Sequence, residues 1–255
     1  MPSDCASPLA EQLGFTATRG IVSALRRFDA DVVVVGLIGE RAREVTDFIE
    51  TRLSASMMPR SVVVAVPADH PPLMRLRAAM RATAIAEHFR HEGKRVLLLL
   101  DSLTRVAHAQ REIGLALGEP PTMKGYPPSA LGLIPGLVER AGCDVRSGGS
   151  ITALYTVLAD GGDNDDPVVD TARAIADGHF VLSRALSEQA VFPALDVGKS
   201  GTRKEELLVE KDKLTKMWVL RRILMQMGTV DAMEFLLDKM KDSKTNEDFF
   251  ATMNQ

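Results

Sequence analysis

The chain has 255 residues, 45% of them hydrophobic and 25% charged, with a formal net charge of −3. That length fits one large domain or one domain with an appendage, and the apolar share is enough for a packed core. The near-neutral balance argues against nucleic acid or an anionic membrane as the main partner, and two cysteines, Cys5 and Cys143, make no disulfide framework. The opening "MPSDCASPLAEQLG" lacks the basic and apolar regions of a secretory leader, and the apolar runs are too short to span a bilayer. A soluble, cytoplasmic protein is expected.

Val32–Ile38, Ser61–Val66 and Arg95–Leu100 are short, unalternating apolar runs, the pattern of parallel strands covered on both faces. Ser150–Ala159 reads as a fourth strand. Between them lie helical patterns over Glu40–Ser54, Pro72–Glu92 and a stretch beginning near Thr104. Alternation of this kind predicts an α/β fold built from βαβ crossovers. "GEPPTMKGYPPSALG" and "ADGGDNDDPVVD" read as loops. From about Glu205 three helices are expected, with N-caps at Thr229 and Thr245 and a C-terminal stop at Gly228. The Met217–Met227 stretch reads as core filler.

In α/β sheets ligands bind at the carboxyl ends of the strands, and two acids stand there: Glu40 and Asp101. An aspartate directly after a buried strand suits Mg²⁺ coordination, and a glutamate on the next strand tip suits polarising a water. Position alone leaves a plain capping role open for both. Arg41, Arg43 and Arg105 stand beside them, able to bind phosphate or to pair with the acids. Tyr126 and Tyr155 could stack on a base or fill the core. The five histidines share no metal-ligand spacing.

Gly198-Lys199-Ser200 has the ending of a phosphate-binding loop. Pro193 stands where that loop needs its first glycine, so the tripeptide cannot wrap its backbone around phosphates.

Three stretches together, "VVVVGLIGERAREVTDFIE", "GKRVLLLLDSLTRVAHAQREIGLALGEPPTMKGYPPSALGLIPGLVERAG" and "GSITALYTVLADGGDNDDPVVDTARAIADGHFVLSRALSEQ", resemble the core of the flagellar and type III secretion export ATPases. These are relatives of the rotary ATP synthase catalytic subunit, and the resemblance runs from about Asp29 to Gln189. It implies a RecA-like core with a parallel sheet, a hexameric ring, and hydrolysis of ATP with Mg²⁺ at subunit interfaces in support of protein export. It further implies that Glu40 activates the water with Arg41 beside it and that Asp101 holds the metal; Arg105 and Tyr155, from their own residue types, are counted with them as nucleotide-site candidates. Partners implied are like subunits in a homo-oligomeric or mixed ring, export-apparatus proteins, chaperones and secreted substrates, with at most peripheral contact with the inner membrane and no nucleic acid. "GEPPTMKGYPPS" and "DGGDNDDP" resemble the loops that face the ring's channel.

From about Phe192, "FPALDVGKSGTRKEELL" and the segments after it resemble the end of transcription termination factor Rho, another RecA-like hexameric ATPase. That resemblance makes Arg203 an arginine finger directed at a neighbouring subunit's nucleotide. A Rho-like RNA-dependent ATPase therefore stands as an alternative, beside a non-catalytic module that only binds partners.

The expected domains are an atypical segment over residues 1–19, a RecA-like core over 20–203 and a helical domain over 204–255. In the resembling family the phosphate loop precedes the helix that leads into "DADVVVVGLIGER". Its lysine falls near Thr18 and its Ser/Thr near Arg19 or Gly20, and no G-x-x-x-x-G-K-S/T can be drawn there. The β-barrel and first core strand that the family places ahead of that loop are expected to be missing as well.

Overall fold

The computed structural model describes residues 29–53, 57–159 and 166–253. The chain divides between Ala176 and Asp177 into two compact units. In the first, β1 (Val32–Ile38), β2 (Ser61–Val66), β3 (Arg95–Asp101), β4 (Gly142–Cys143) and β5 (Ser150–Tyr155) form one sheet in the order β2-β1-β3-β5-β4. The four longer strands run parallel, and the two-residue β4 joins antiparallel. The strand expected through Ala159 stops at Tyr155: the Thr156 N–H still donates to Leu100 O of β3, but the Thr156 carbonyl and Leu158 bond to the start of a helix.

Successive residues of a strand face opposite sides, so the unbroken apolar runs feed two cores at once. Leu98 and Leu100 enter one core with Val34 and Ile38. Leu97 and Leu99 enter the other with Val33, Val35 and Phe48. The first face is covered by α2 (Pro72–His91), α3 (Leu103–Ala116), α4 (Pro128–Val138) and α5 (Pro167–Ile175). Over the second face lie Val45 of α1 (Ala42–Asp47) and the π-turn Phe48–Arg52. The stretch expected to be a loop from Gly118 to Gly132 turns helical at Pro128, a residue favoured in a first turn because its missing N–H has no helical partner there.

One backbone approach fixes the end of α2 against the hairpin. A Cβ on Gly149 would stand 2.1 Å from the Arg90 carbonyl oxygen, which accepts from the Ser147 hydroxyl at 2.8 Å and the Gly93 N–H at 2.9 Å.

The second unit begins at Asp177 rather than after Arg203, because residues 177–181 bond to residues 196–203 and not to the large sheet. It holds β6 (Gly178–His179), α6 (Arg184–Glu188), β7 (Gly201–Thr202), α7 (Lys211–Leu224), α8 (Thr229–Met240) and α9 (Asn246–Thr252). Leu186, Ala194 and Met233 form its small core. Thr245 caps α9 in a reciprocal pair with Asp248, as its sequence position suggests. Gly228, not Thr229, caps α8, and α7 stops four residues earlier at Leu224. Met225, beyond that stop, is 67% exposed, so the methionine stretch is not all core.

Gly149→Ala is expected to cost more than about 2 kcal/mol, since a backbone carbonyl must move. Gly132→Ala, inside α4 with open space around its Cβ, is expected to gain up to about 1 kcal/mol. Chemical denaturation of the two variants checks the contrast, and equal effects would refute it.

Candidate nucleotide site at the strand tips

Gly39 ends β1 with φ +75°, a backbone region that side chains resist. A Cβ there would meet Arg105 Cβ at 2.8 Å, so the glycine gives Arg105 room to lie across the strand end. The turn is tied down by the Gly39 N–H donating to Val66 O at 2.8 Å and the Ala68 N–H donating to Glu40 O at 3.0 Å. Glu40 is thereby held at the carboxyl end of β1. Asp101 ends the adjacent β3, in register with Leu37.

The next residues are fastened to the strand on the far side. The Thr156 hydroxyl donates to Asp101 Oδ1 at 2.5 Å, and the Leu103 N–H donates to Thr156 O at 3.0 Å. The Thr104 hydroxyl accepts from the Leu158 N–H at 2.9 Å and donates to Leu158 O at 3.3 Å. Ser102 caps α3 by accepting from the Arg105 N–H at 3.3 Å, and the Asp101–Ser102 peptide is cis. Three neighbouring strands therefore deliver Glu40, Asp101 and Thr156 to one edge.

Burial first, and then the negative charge of Asp101, push the Glu40 carboxyl up to about 7, with Arg105 pulling the other way. Glu40 Oε1 and Arg105 Nε face each other at 3.9 Å, too long for a hydrogen bond. Both atoms are buried and neither has a hydrogen-bond partner.

Mg²⁺ fits these residues. It keeps most of its waters and takes one or two carboxylates plus phosphate oxygens, rather than a cage of side chains. Asp101, oriented by Thr156, is a donor of that kind, and no cluster of three or more metal-ligating side chains occurs among the described residues. The buried Arg105 Nε suits a phosphate oxygen.

Arg41 is exposed beside this edge and pairs with Glu44 at 3.8 Å. Tyr155 is not brought to it. Its ring packs on the opposite, helix-rich core, its hydroxyl donates to Leu137 O at 3.3 Å, and burial pushes its pKa up to about 12. Tyr126 is likewise packed, bonded to His108 at 2.9 Å and lying under the Arg111 guanidinium. The phosphate-loop positions near Thr18 to Gly20 lie outside the described residues, as does most of the acidic channel-type loop.

In the second unit, Gly198-Lys199-Ser200 is a turn closed by Asp196, whose Oδ1 accepts from the N–H groups of Gly198 and Lys199 at 3.1 Å each. The Lys199 ammonium lies 3.6 Å from Asp196 Oδ2. Arg203 follows it, exposed, its N–H donating to Asp177 O at 2.6 Å. Sequence reasoning missed Thr156, because a threonine inside a β-branched run reads as strand. It also missed Asp196, because attention fell on the tripeptide rather than on the acid two residues ahead of it.

A parallel sheet flanked by helices, with paired acids at its carboxyl edge, defines a RecA-like nucleotide-binding core. The chain belongs to the ATP synthase alpha/beta family, whose nucleotide-binding domain matches residues 10–202. It is 55% identical over 210 residues to the flagellum-specific ATP synthase of Pseudomonas aeruginosa, a match covering 80% of this chain and 47% of that relative. The chain thus spans about half the length of that protein. The assembled ATPase EscN of the enteropathogenic E. coli type III secretion system is similar with a TM-score of 0.76 and 35% identity, covering 94% of this chain and 64% of that one. EscN in complex with its central stalk EscO is similar with a TM-score of 0.67 and 37% identity, covering 89% and 60%. A 94% coverage carries the match well into the segment after Phe192, and nothing in these similarities supports the Rho-like reading of it.

Because the folded state raises the Glu40 pKa above its ordinary 4.5, the fold holds a proton there that the unfolded chain has lost. Stability from this group is therefore complete below pH 4.5 and declines as pH rises through 7. Glu40→Gln is expected to gain about 1–2 kcal/mol on wild type between pH 5 and pH 8, after allowance for solvent screening. Parallel melting curves at the two pH values would contradict this. Thr156→Val, which removes a hydrogen bond to a charged group, is expected to cost about 1.5–3 kcal/mol, with Thr156→Ser close to wild type by denaturant titration.

Proposed function

We propose that this chain is the nucleotide-binding part of an export ATPase of the flagellar and type III secretion kind, acting in a hexameric ring that couples ATP hydrolysis to protein export. The observation carrying this reading is the Glu40–Asp101 pair at adjacent strand tips, with buried and unpartnered Oε1 and Nε atoms facing each other. Mg²⁺, when bound with ATP, neutralises the phosphate oxygens. Asp101 would hold that ion, and Thr156 fixes the carboxylate's direction. Glu40, basic only when ionised, accepts hydrogen-bonding from the attacking water and draws its proton, and its raised pKa makes it a better acceptor than an ordinary carboxylate. Arg105 and Arg41 supply positive charge along the phosphates, and Arg203 serves a neighbouring subunit's nucleotide. The similarity to EscN bound to its stalk suggests a stalk-type partner within the ring. Chaperones, export-apparatus proteins and secreted substrates complete the set, at a cytoplasmic site peripheral to the inner membrane. The described residues contain no helix long and apolar enough to cross a membrane.

A second reading is favoured by one observation, the lack of a G-x-x-x-x-G-K-S/T sequence. Without that backbone nest and lysine the β- and γ-phosphates lose their main anchor. In this reading the chain contributes Arg203 in trans to a subunit that has the loop.

The isolated chain is expected to turn over ATP weakly or not at all, and without stimulation by poly(C). Mg-ATP calorimetry and steady-state hydrolysis on size-characterised protein check this. Fast turnover lost in Glu40→Gln would establish a self-sufficient enzyme. Stimulation by poly(C) would overturn the export reading.

A further inference from the structure

The tripeptide that imitates a phosphate loop has a different use in the fold. Asp196 is 5% exposed and makes two side-chain bonds to the N–H groups of Gly198 and Lys199. Its own N–H donates to Val181 O at 2.7 Å. Ser200 then closes the turn from the other end. Its hydroxyl donates to Asp196 O at 2.7 Å and accepts from the Val181 N–H at 2.9 Å. His179 Nε2 lies 2.8 Å from Lys199 O, and since a carbonyl only accepts, that nitrogen carries the hydrogen. Gly178 pairs with Thr202 and His179 with Gly201, and the ladder ends where the Arg203 N–H meets Asp177 O.

Every residue from Asp196 to Arg203 except Val197 is therefore tied to its own turn or to the 177–181 strand. The ties converge on the backbone of one exposed arginine. An arginine has a long, rotatable side chain, so its reach is only as definite as the backbone that carries it. A lysine in this turn could compete for the same anion, but Lys199 is held beside the Asp196 carboxylate instead.

We infer that Asp196 and Ser200 are positioning residues for Arg203: the Asp196–Ser200 turn fixes the arginine's backbone so that its guanidinium is presented to an anionic group outside its own unit, a nucleotide phosphate of a neighbouring subunit. This rests on the reading of Arg203 as acting in trans. Asp196 and Ser200 touch no substrate and act only through the arginine.

The test has two arms. In the first, amide hydrogen exchange is measured on the wild-type chain, Asp196→Ala, Asp196→Asn and Ser200→Ala. Asp196→Ala is expected to speed exchange at Gly198, Lys199 and Arg203 by about tenfold or more, with the amides of α8 unchanged. Asp196→Asn keeps an oxygen acceptor and should stay near wild type. Unchanged exchange in both alanine variants overturns the turn as a brace, and Ser200→Ala, which leaves the buried acid in place, decides this even where Asp196→Ala does not fold.

In the second arm, ATPase rates are measured on rings of the chain with an intact relative, their composition verified by mass. Arg203→Ala, Asp196→Ala and Ser200→Ala are each expected to lower kcat about tenfold or more with KM little changed, because a displaced catalytic group costs rate more than binding. Asp196→Asn should restore most of the rate. A fall with Arg203→Ala but not with either alanine variant of the turn overturns the inference and leaves the trans reading intact. No fall with Arg203→Ala, or no mixed rings, overturns the trans reading and with it the inference.

Discussion

The site is organised around two carboxyls that adjacent parallel strands bring to one edge of the sheet. β1 and β3 are paired so that Leu37 stands opposite Asp101, and the turn through Gly39 puts Glu40 just beyond that level. Neither acid can retreat, because each is attached to a strand buried on both faces. One responds by a raised pKa and the other by taking a hydroxyl donor. This difference in environment gives two chemically similar groups different proton affinities, the separation that the proposed acceptor and ligand roles need. Arg105 reduces the repulsion without cancelling it, since at 3.9 Å it makes no hydrogen bond to Glu40.

The rest of the first unit serves to keep that edge stiff. Leu97 to Leu100 are fully buried and face the two cores alternately, so β3 cannot slide by one residue without exchanging every contact on both sides. The reciprocal bonds of Thr104 with Leu158, and of Thr156 with Asp101 and Leu103, fasten the start of α3 to the end of β5. Arg105 and Asp101 are thus carried on one braced junction. A shift of the chain after β5 would be felt at Asp101 through these bonds.

How far all this can be read from the sequence depends on how local the cause is. Val32–Ile38 and Ser61–Val66 were legible to the residue, because uninterrupted β-branched runs bounded by polar residues have few other uses. Glu40 and Asp101 were legible as the first acids after such runs. The end of β5 was not, since Thr156 and Val157 continue the pattern of a strand and only their tertiary partners turn them away. Helix α4 was hidden by prolines that usually mark loops but here occupy a first turn. Tyr155 was counted with the nucleotide site as an aromatic ring able to stack on a base, while the alternation of its own strand places it on the face away from Asp101.

The second unit shows the same limit from another side. Gly198-Lys199-Ser200 invites a reading in terms of phosphate, yet its geometry is dictated by an aspartate whose carboxylate takes up the available N–H groups and pairs with the lysine. Phosphate-binding turns depend on leaving those N–H groups open to a ligand. A turn that satisfies them internally has traded anion binding for rigidity. The resemblance to a phosphate loop is therefore a matter of composition and not of geometry.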